Sequence, residues 1–409
     1  MKKLLIFALL FASFSPAVYA KRYIVTVQND TRAPVDWEAF VTRSGGDVVK
    51  TYNFIDGALL DLTEEQAERL MSRKAAGLTI EEDISEYWLE DGDSSALGAL
   101  RKQAADYGIS HSVSPAAAVP SVSVEESEWE DGTEGSEYPW GISRVKASSA
   151  WKKTEGAGVK VAVIDSGINY KHEDLKDNYA GGINLSGDGD ENDPIDGHGH
   201  GTHVAGIIAA AKNGKGVVGV APKAKIYSVK VLRSDGYGDR SNVISGIEWA
   251  IENKMQVINM SLGSPQMTEA QQKAIKAAAA AGIIVVCSAG NRGPDGSMSY
   301  PGRYPETIAV SSSDRRDNIS SFSSRGPEVD VIAPGTNVLS TTKDGKYNYK
   351  SGTSMACPHV SGLAALSIAA GLPADQFRKL LKDNAIKLKK LGPEEQGSGL
   401  ANAAWIKKR

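Results

Sequence analysis

Four short segments gather the residue types that acyl transfer needs. Val163-Ile-Asp-Ser-Gly-Ile168 carries Asp165, and His198-Gly-His-Gly-Thr-His-Val-Ala-Gly206 carries three histidines. Gly352-Thr-Ser-Met-Ala-Cys-Pro-His-Val360 carries Ser354, and Ser288-Ala-Gly-Asn291 carries Asn291. A serine hydroxyl is a weak nucleophile and needs an adjacent base. A histidine can take its proton and later return it to a leaving group. Small residues beside Ser354 leave room for a substrate backbone, and a helix starting there would aim N–H groups at developing negative charge. The competing possibility is that His198, His200 and His203 bind a metal. The glycine-rich turn before His203 offers no regular face on which all three converge, and the other segments would then have no task. Taken alone, an Asp after a strand is a common structural partner and a Ser at a helix start a common cap. The four together point to catalysis.

Rigid elements must bring these segments together. From Tyr138 onward, apolar runs alternate with helical stretches. The runs are Val159-Lys-Val-Ala-Val-Ile164, Ile226-Tyr-Ser-Val-Lys-Val-Leu232, Val257-Ile-Asn-Met260 and Ile283-Ile-Val-Val286, with helices expected over 243–253 and 268–281. Such alternation predicts an α/β fold, a parallel sheet with helices on both faces. In these sheets active sites lie beyond the carboxyl ends of the strands, where this chain places its unusual residues.

The order Asp, His, Ser with these flanking residues closely resembles the subtilisins. The resemblance covers Tyr138 to the C-terminus, including the ending Gly397-Ser-Gly-Leu-Ala-Asn-Ala-Ala404, while residues 22 to about 85 resemble the subtilisin inhibitory propeptide. It implies a subtilisin-like fold and a serine endopeptidase acting on proteins and peptides. His-Gly-Thr-His-Val-Ala-Gly begins at His200, so His200 is implied as the base, with Asp165 and Ser354 completing the triad. In the family the position of His203 supports the site structurally. Asn291 can offer its amide to the oxyanion beside the Ser354 N–H. The segment Met260-Ser-Leu-Gly263 resembles one that pairs with substrate backbone, and Ser234-Asp-Gly-Tyr-Gly238, with Gly236 at its centre, would be the second. Ser261, Leu262 and Gly263, Ser288, Ala289 and Gly290, and Ser299 are expected to line a roomy, mostly apolar pocket for the side chain before the cut. Arg292 and Arg240 stand where better-known members carry an acidic and an aromatic residue. Both are read first as solvated surface charges.

The remaining sequence describes a precursor. Lys2 and Lys3, an apolar run from Leu4 to Phe14, and the small residues Val18 and Ala20 read as a signal peptide cut after Ala20. The run falls short of the roughly 20 residues that span a bilayer. Secretion to the extracellular space or periplasm follows, with no membrane anchor. Residues 21–90 form an α+β unit. It has an alternating strand at Arg22-Tyr-Ile-Val-Thr-Val27, a helix opened by Thr63 with Gln66 as its box partner, and a strand at Leu78-Thr-Ile80. The resemblance makes it an intramolecular inhibitor and folding aid. Residues 91–137 read as a flexible acidic linker. Residues 112–124 are rich in Ser, Ala, Val and Pro, and 125–137 hold seven acids and no base, too little apolar surface to fold. A short helix is possible over 96–107. The catalytic domain takes 138–409. The linker obscures the maturation cut, which could follow Tyr87-Trp88-Leu89 or lie further along.

Calcium is the expected cofactor, held structurally. In the family, Asp174 and Asn213 hold a tight ion with carbonyls of the loop 211–217. The run containing Asp188, Asp190, Asn192, Asp193 and Asp196 could supply a weaker site. The net charge of −4 carries no basic surplus for nucleic acid, and a monomer is expected. Cys287 and Cys357 lie in small-residue motifs and are expected as buried free thiols.

Overall fold

The computed structural model describes residues 20–28, 35–72, 77–89 and 137–406. All but the last residue of the expected signal peptide, the helix over 96–107 and all but the last residue of the expected linker lie outside the described residues. The chain divides into two units, one containing residues up to 51 and 56–83, the other 52–55 and everything from Ile84 onward.

In the first unit the strands are β1 (Lys21–Val27), β2 (Asp47–Tyr52), β3 (Gly57–Leu62) and β4 (Leu78–Glu82). They form one sheet in the order β2-β3-β1-β4, and β1 runs antiparallel to both β3 and β4. Alternation puts Tyr23, Val25 and Val27 on one face, where they pack with Leu60, Leu62, Trp37, Val41 and Leu70. The last three come from the helices Trp37–Ser44 and Glu64–Ser72. Thr63 and Gln66 cap the second helix reciprocally: the Gln66 N–H donates to Thr63 Oγ1 at 3.2 Å and the Thr63 N–H to Gln66 Oε1 at 2.8 Å. This is the box read from the sequence.

The second unit opens with β5 (Ser85–Tyr87). It is built on β6 (Lys160–Asp165), β7 (Tyr179–Asn184), β8 (Lys225–Lys230), β9 (Tyr237–Asp239), β10 (Val257–Met260), β11 (Ile284–Ser288), β12 (Ile308–Ser313) and β13 (Val329–Pro334). All but β9 join β13-β12-β11-β10-β6-β8-β7, a seven-stranded sheet in which every pairing is parallel. β10 to β13 are buried throughout, as a sheet covered on both faces requires. A short hairpin, β14 (Val338–Thr341) with β15 (Tyr347–Lys350), precedes the helix Thr353–Ala369. That helix and the helix His200–Ala209 share the main core with Val161, Val163, Val286 and Val310. Both are rich in small residues, so they pack close to the sheet.

The strand order decides what meets at the carboxyl edge. β11, β10, β6 and β8 are neighbours. They end in Ser288, Met260, Asp165 and Lys230, so the segments following them converge on one place. Among the described residues no helix is long and apolar enough to cross a membrane.

Candidate active site

Asp165 is the last residue of β6 and is fully buried. His200 is the first residue of its helix and is 5% exposed. Its Nδ1 lies 2.8 Å from Asp165 Oδ1 and 3.0 Å from Oδ2. A carboxylate only accepts, so Nδ1 carries the proton and Nε2 is left with the lone pair a base needs. Gly201 makes this approach possible, since a Cβ there would stand 2.2 Å from the Gly167 carbonyl and 3.1 Å from Asp165 Cβ.

The histidine helix is anchored by Asp196. One carboxylate oxygen accepts from the N–H groups of His198 and Gly199 and from Ser166 Oγ. The other accepts from the N–H and hydroxyl of Thr202. Asp196, read from sequence as part of an acidic calcium run, therefore caps the helix that carries His200. Lys230 was not singled out from the sequence. It is 3% exposed, and its ammonium donates to the carbonyls of Ser166 and Leu232 at 3.1 and 2.9 Å. Burial pushes its pKa down, opposed by Asp196, Asp188 and Asp165, whose field it helps to balance. The available signal was a lysine within the largely apolar run Ile226-Tyr-Ser-Val-Lys-Val-Leu232.

Ser354 opens its helix and is 5% exposed. Its Oγ donates to the Ser261 carbonyl at 3.0 Å, while Ser261 Oγ donates to the Ser354 carbonyl at 2.9 Å. Among the described residues Ser354 Oγ makes no other hydrogen bond. Asn291 follows β11, and its Oδ1 accepts both the N–H and the hydroxyl of Thr353 at 2.9 Å. That fixes the amide orientation. A Cβ placed on Gly352 would lie 3.4 Å from Asn291 Nδ2 and 3.6 Å from the Ser354 N. Two donors thus flank one small space, an arrangement that can hold an oxyanion.

The cleft is bounded by residues of its own chain. β5 pairs antiparallel with β9, with Glu86 opposite Gly238 and Tyr87 opposite Tyr237. The Trp88 N–H donates to the Gly236 carbonyl at 3.3 Å, and the Gly263 N–H donates to the Trp88 carbonyl at 2.9 Å. Gly236 has φ +83°, and a Cβ there would strike the Tyr87 ring at 2.6 Å. Trp88, Leu262, Gly263, Ser288, Gly290, Asn291, Thr353 and Ser354 line one small cavity. Leu89 is 1% exposed.

The other expected pocket residues stand back from that wall. The Ala289 methyl packs with Met298, Ala309 and Val329, and Ser299 packs behind Gly263. The wall is mostly glycine, hydroxyl and amide, with Leu262 and Trp88 as its apolar parts. Arg240 is not a solvated charge: it is 9% exposed and pairs with Glu86, Nε to Oε1 at 2.9 Å.

His203 is fully buried, with Nε2 on the Asn348 carbonyl at 3.0 Å. Burial holds its pKa down at about 3, so it is a neutral support. Burial likewise lowers His198 to about 4, helped by His200. Among the described residues no three His, Cys, Asp or Glu side chains gather as metal ligands. Asp188 Oδ2 accepts from the Ser234 N–H, Asp190 Oδ1 from the Asn192 N–H, and Asp193 Oδ1 from Tyr170 Oη and the Ile195 N–H. These three carboxylates turn to separate partners. Asp174 and Asn213 do meet, at 2.9 Å. Cys287 and Cys357 are free and buried, and burial pushes both thiols up, Cys357 to about 12.

A family model described as the subtilase family matches residues 156–401. An alkaline protease of Alkalihalobacillus alcalophilus is 45% identical over 288 residues, 69% of this chain and 73% of that protein. Subtilisin Savinase of Lederbergia lenta is 46% identical over 269 residues, 65% of this chain and 97% of that protein. Subtilisin E of Bacillus subtilis (strain 168) is 50% identical over 235 residues, 56% of this chain and 61% of that protein.

Proposed function

The chain belongs to the subtilase family and is a subtilisin-type serine endopeptidase, and from that premise we propose that it is secreted as a zymogen that processes itself. The observations that carry the catalytic reading are the buried Asp165–His200 pair and, on the cavity wall, Ser354 with Asn291 held beside it. Ser354 Oγ leaves the Ser261 carbonyl, gives its proton to His200 Nε2 and attacks the scissile carbonyl carbon. Asp165 stabilises the imidazolium. The oxyanion lies between Asn291 Nδ2 and the Ser354 N–H. Collapse breaks the C–N bond, and His200 protonates the departing amine. A water, deprotonated by His200, then hydrolyses the acyl-enzyme. The test is hydrolysis of casein by the purified mature form. Asp165→Asn should lower kcat about 10²–10⁴-fold with little change in KM, because it disturbs the base and not the binding surface. Casein hydrolysis at the wild-type rate by that variant would remove Asp165 from the mechanism.

The zymogen reading assigns residues 21–90 to an inhibitory propeptide and folding aid, 91–137 to a linker and 138–409 to a monomeric enzyme for protein and peptide substrates. The antiparallel seat of Ser85–Tyr87 and the burial of Leu89 support a first cut after Leu89. N-terminal sequencing of the secreted form tests this, with Glu90 expected as the first new terminus.

Calcium is proposed at Asp174 and Asn213. Asp174 is fully buried, and its Oδ2 accepts from the Val217 N–H. It forms no ion pair among the described residues, so its charge meets only neutral donors. Such a group suits a cation, and Asp174, Asn213 and the carbonyls of 211–217 would hold it, stiffening the loop. An ion that binds only the folded state stabilises by about 2.7 kcal/mol at 100 times its Kd. Chelation should therefore lower Tm and speed autolysis, and Asp174→Ala should remove most of that sensitivity. A chelator-insensitive Tm in the mature enzyme would exclude this role. Asp188, Asp190 and Asp193 remain proposed as a weaker site, expected to matter only at low calcium.

A further inference from the structure

Arg240 is the first residue of the helix Arg240–Glu252, directly after β9. Its guanidinium is bound on two sides. Nε donates to Glu86 Oε1 at 2.9 Å, and Nη2 donates to Gln266 Oε1. The other carboxylate oxygen of Glu86 accepts from Ser264 Oγ at 2.8 Å. The side chains of the ion pair are only 10% and 17% exposed. The backbone takes part as well, because the Arg240 N–H donates to the Ile84 carbonyl at 3.3 Å.

We propose that Arg240, Ser264 and Gln266 form an acid-selective subsite that recognises a glutamate three residues before the residue at the cut. The inference rests on reading Ser85–Leu89 as the segment seated in the cleft with Leu89 last before the scissile bond. Glu86 lies on β5, whose register against β9 is set by backbone pairing, so that a substrate seated the same way brings its corresponding side chain to Arg240. Gln266 holds one end of the guanidinium from the enzyme's own side, so the fork is oriented before substrate arrives. The carboxylate then receives a charge-assisted bond from Nε and a hydroxyl bond from Ser264. The start of the Arg240 helix adds a favourable field for an anion. A glutamine would set an NH2 against one of two donors, a lysine would meet like charge, and a leucine would leave the Arg240 Nε and the Ser264 hydroxyl without their acceptor.

The experiment uses mature enzyme, quantified by active-site titration, and four internally quenched peptides. Each carries Tyr-Trp-Leu before the cut, preceded by Glu, Gln, Leu or Lys. The Glu peptide is expected to exceed the Gln and Leu peptides in kcat/KM about tenfold, equivalent to about 1.4 kcal/mol, with Lys the poorest. The gap should narrow in about 1 M salt, where the screening length is about 3 Å. Arg240→Leu should bring the Glu-to-Leu ratio to about one or below, and Ser264→Ala should reduce it partway. If the wild-type enzyme cleaves all four after Leu within about twofold, acid selection is overturned while the endopeptidase and its register stand. If casein is degraded but the peptides are cut elsewhere or not at all, the register falls and the subsite with it. If casein is not degraded either, the catalytic reading has failed first. The wild-type series decides the matter even where Arg240→Leu does not fold.

Discussion

Ser354→Ala, expressed in a protease-deficient host, is expected to accumulate as a precursor that has lost the proposed signal but retains residues 21–409 in one chain. The same substitution removes the nucleophile and should depress casein hydrolysis at least about 10⁴-fold, since general base catalysis alone contributes about 10²–10⁴-fold and here loses its partner. On the proposed zymogen reading, maturation and activity fail together because Ser85–Leu89 already lies along the cleft. Ser85–Tyr87 pairs with β9, and the Trp88 carbonyl accepts from the Gly263 N–H. Normal trimming of Ser354→Ala in such a host would show that another protease makes the first cut.

Acid should destabilise the folded enzyme by several kcal/mol. His203 and His359 are fully buried, and burial holds their pKa values at about 3 and about 4, below the ordinary 6.5. Above pH 6.5 both states are neutral at these rings and stability is unaffected. Below 6.5 the unfolded chain binds protons that the folded chain refuses, so stability falls until pH reaches about 3–4. Each pKa unit is worth about 1.36 kcal/mol, so two rings give a slope of up to about 2.7 kcal/mol per pH unit. Denaturant unfolding of enzyme inactivated with a sulfonyl fluoride, which prevents autolysis, measures this slope. His203→Asn should remove about one proton from it. A stability flat between pH 6.5 and 4.5 would contradict the neutral burial of these histidines.

The sequence carried the chemistry more clearly than the elements that support it. Asp165, His200, Ser354 and Asn291 were legible because each sits in a run of small residues where a strand ends or a helix begins. Four strands of the large sheet were legible from their apolar runs. β7, β12 and β13 were harder, since Tyr-Ala-Gly-Gly-Ile-Asn, Ile-Ala-Val-Ser-Ser-Ser and Val-Asp-Val-Ile-Ala-Pro mix polar residues into buried positions. Ser311, Ser312 and Ser313 are all fully buried. Tertiary hydrogen bonds make this tolerable for the first two, as Ser311 Oγ donates to the Glu395 carbonyl and Ser312 Oγ pairs with Ser320 Oγ, while Ser313 Oγ has no hydrogen-bond partner among the described residues; no local pattern announces such environments. The same limit applies to Asp196 and Lys230. Their roles depend on which segments the fold brings together, so a cap looked like an acidic loop and a buried ammonium like an ordinary strand residue. Arg240 was visible as a departure from relatives, but its partner Glu86 lies 154 positions away.

The central claim is that Ser354, activated by His200 and Asp165, is the nucleophile of an endopeptidase. The most direct measurement is labelling of the mature wild-type enzyme with a serine-directed fluorophosphonate, with the modified residue mapped by mass spectrometry and casein hydrolysis followed in the same sample. The expected result is one adduct per molecule, on Ser354, forming in step with loss of casein hydrolysis and absent from heat-unfolded protein. Casein hydrolysis that persists after complete labelling of Ser354, or an inactivating adduct on a different serine, would contradict it.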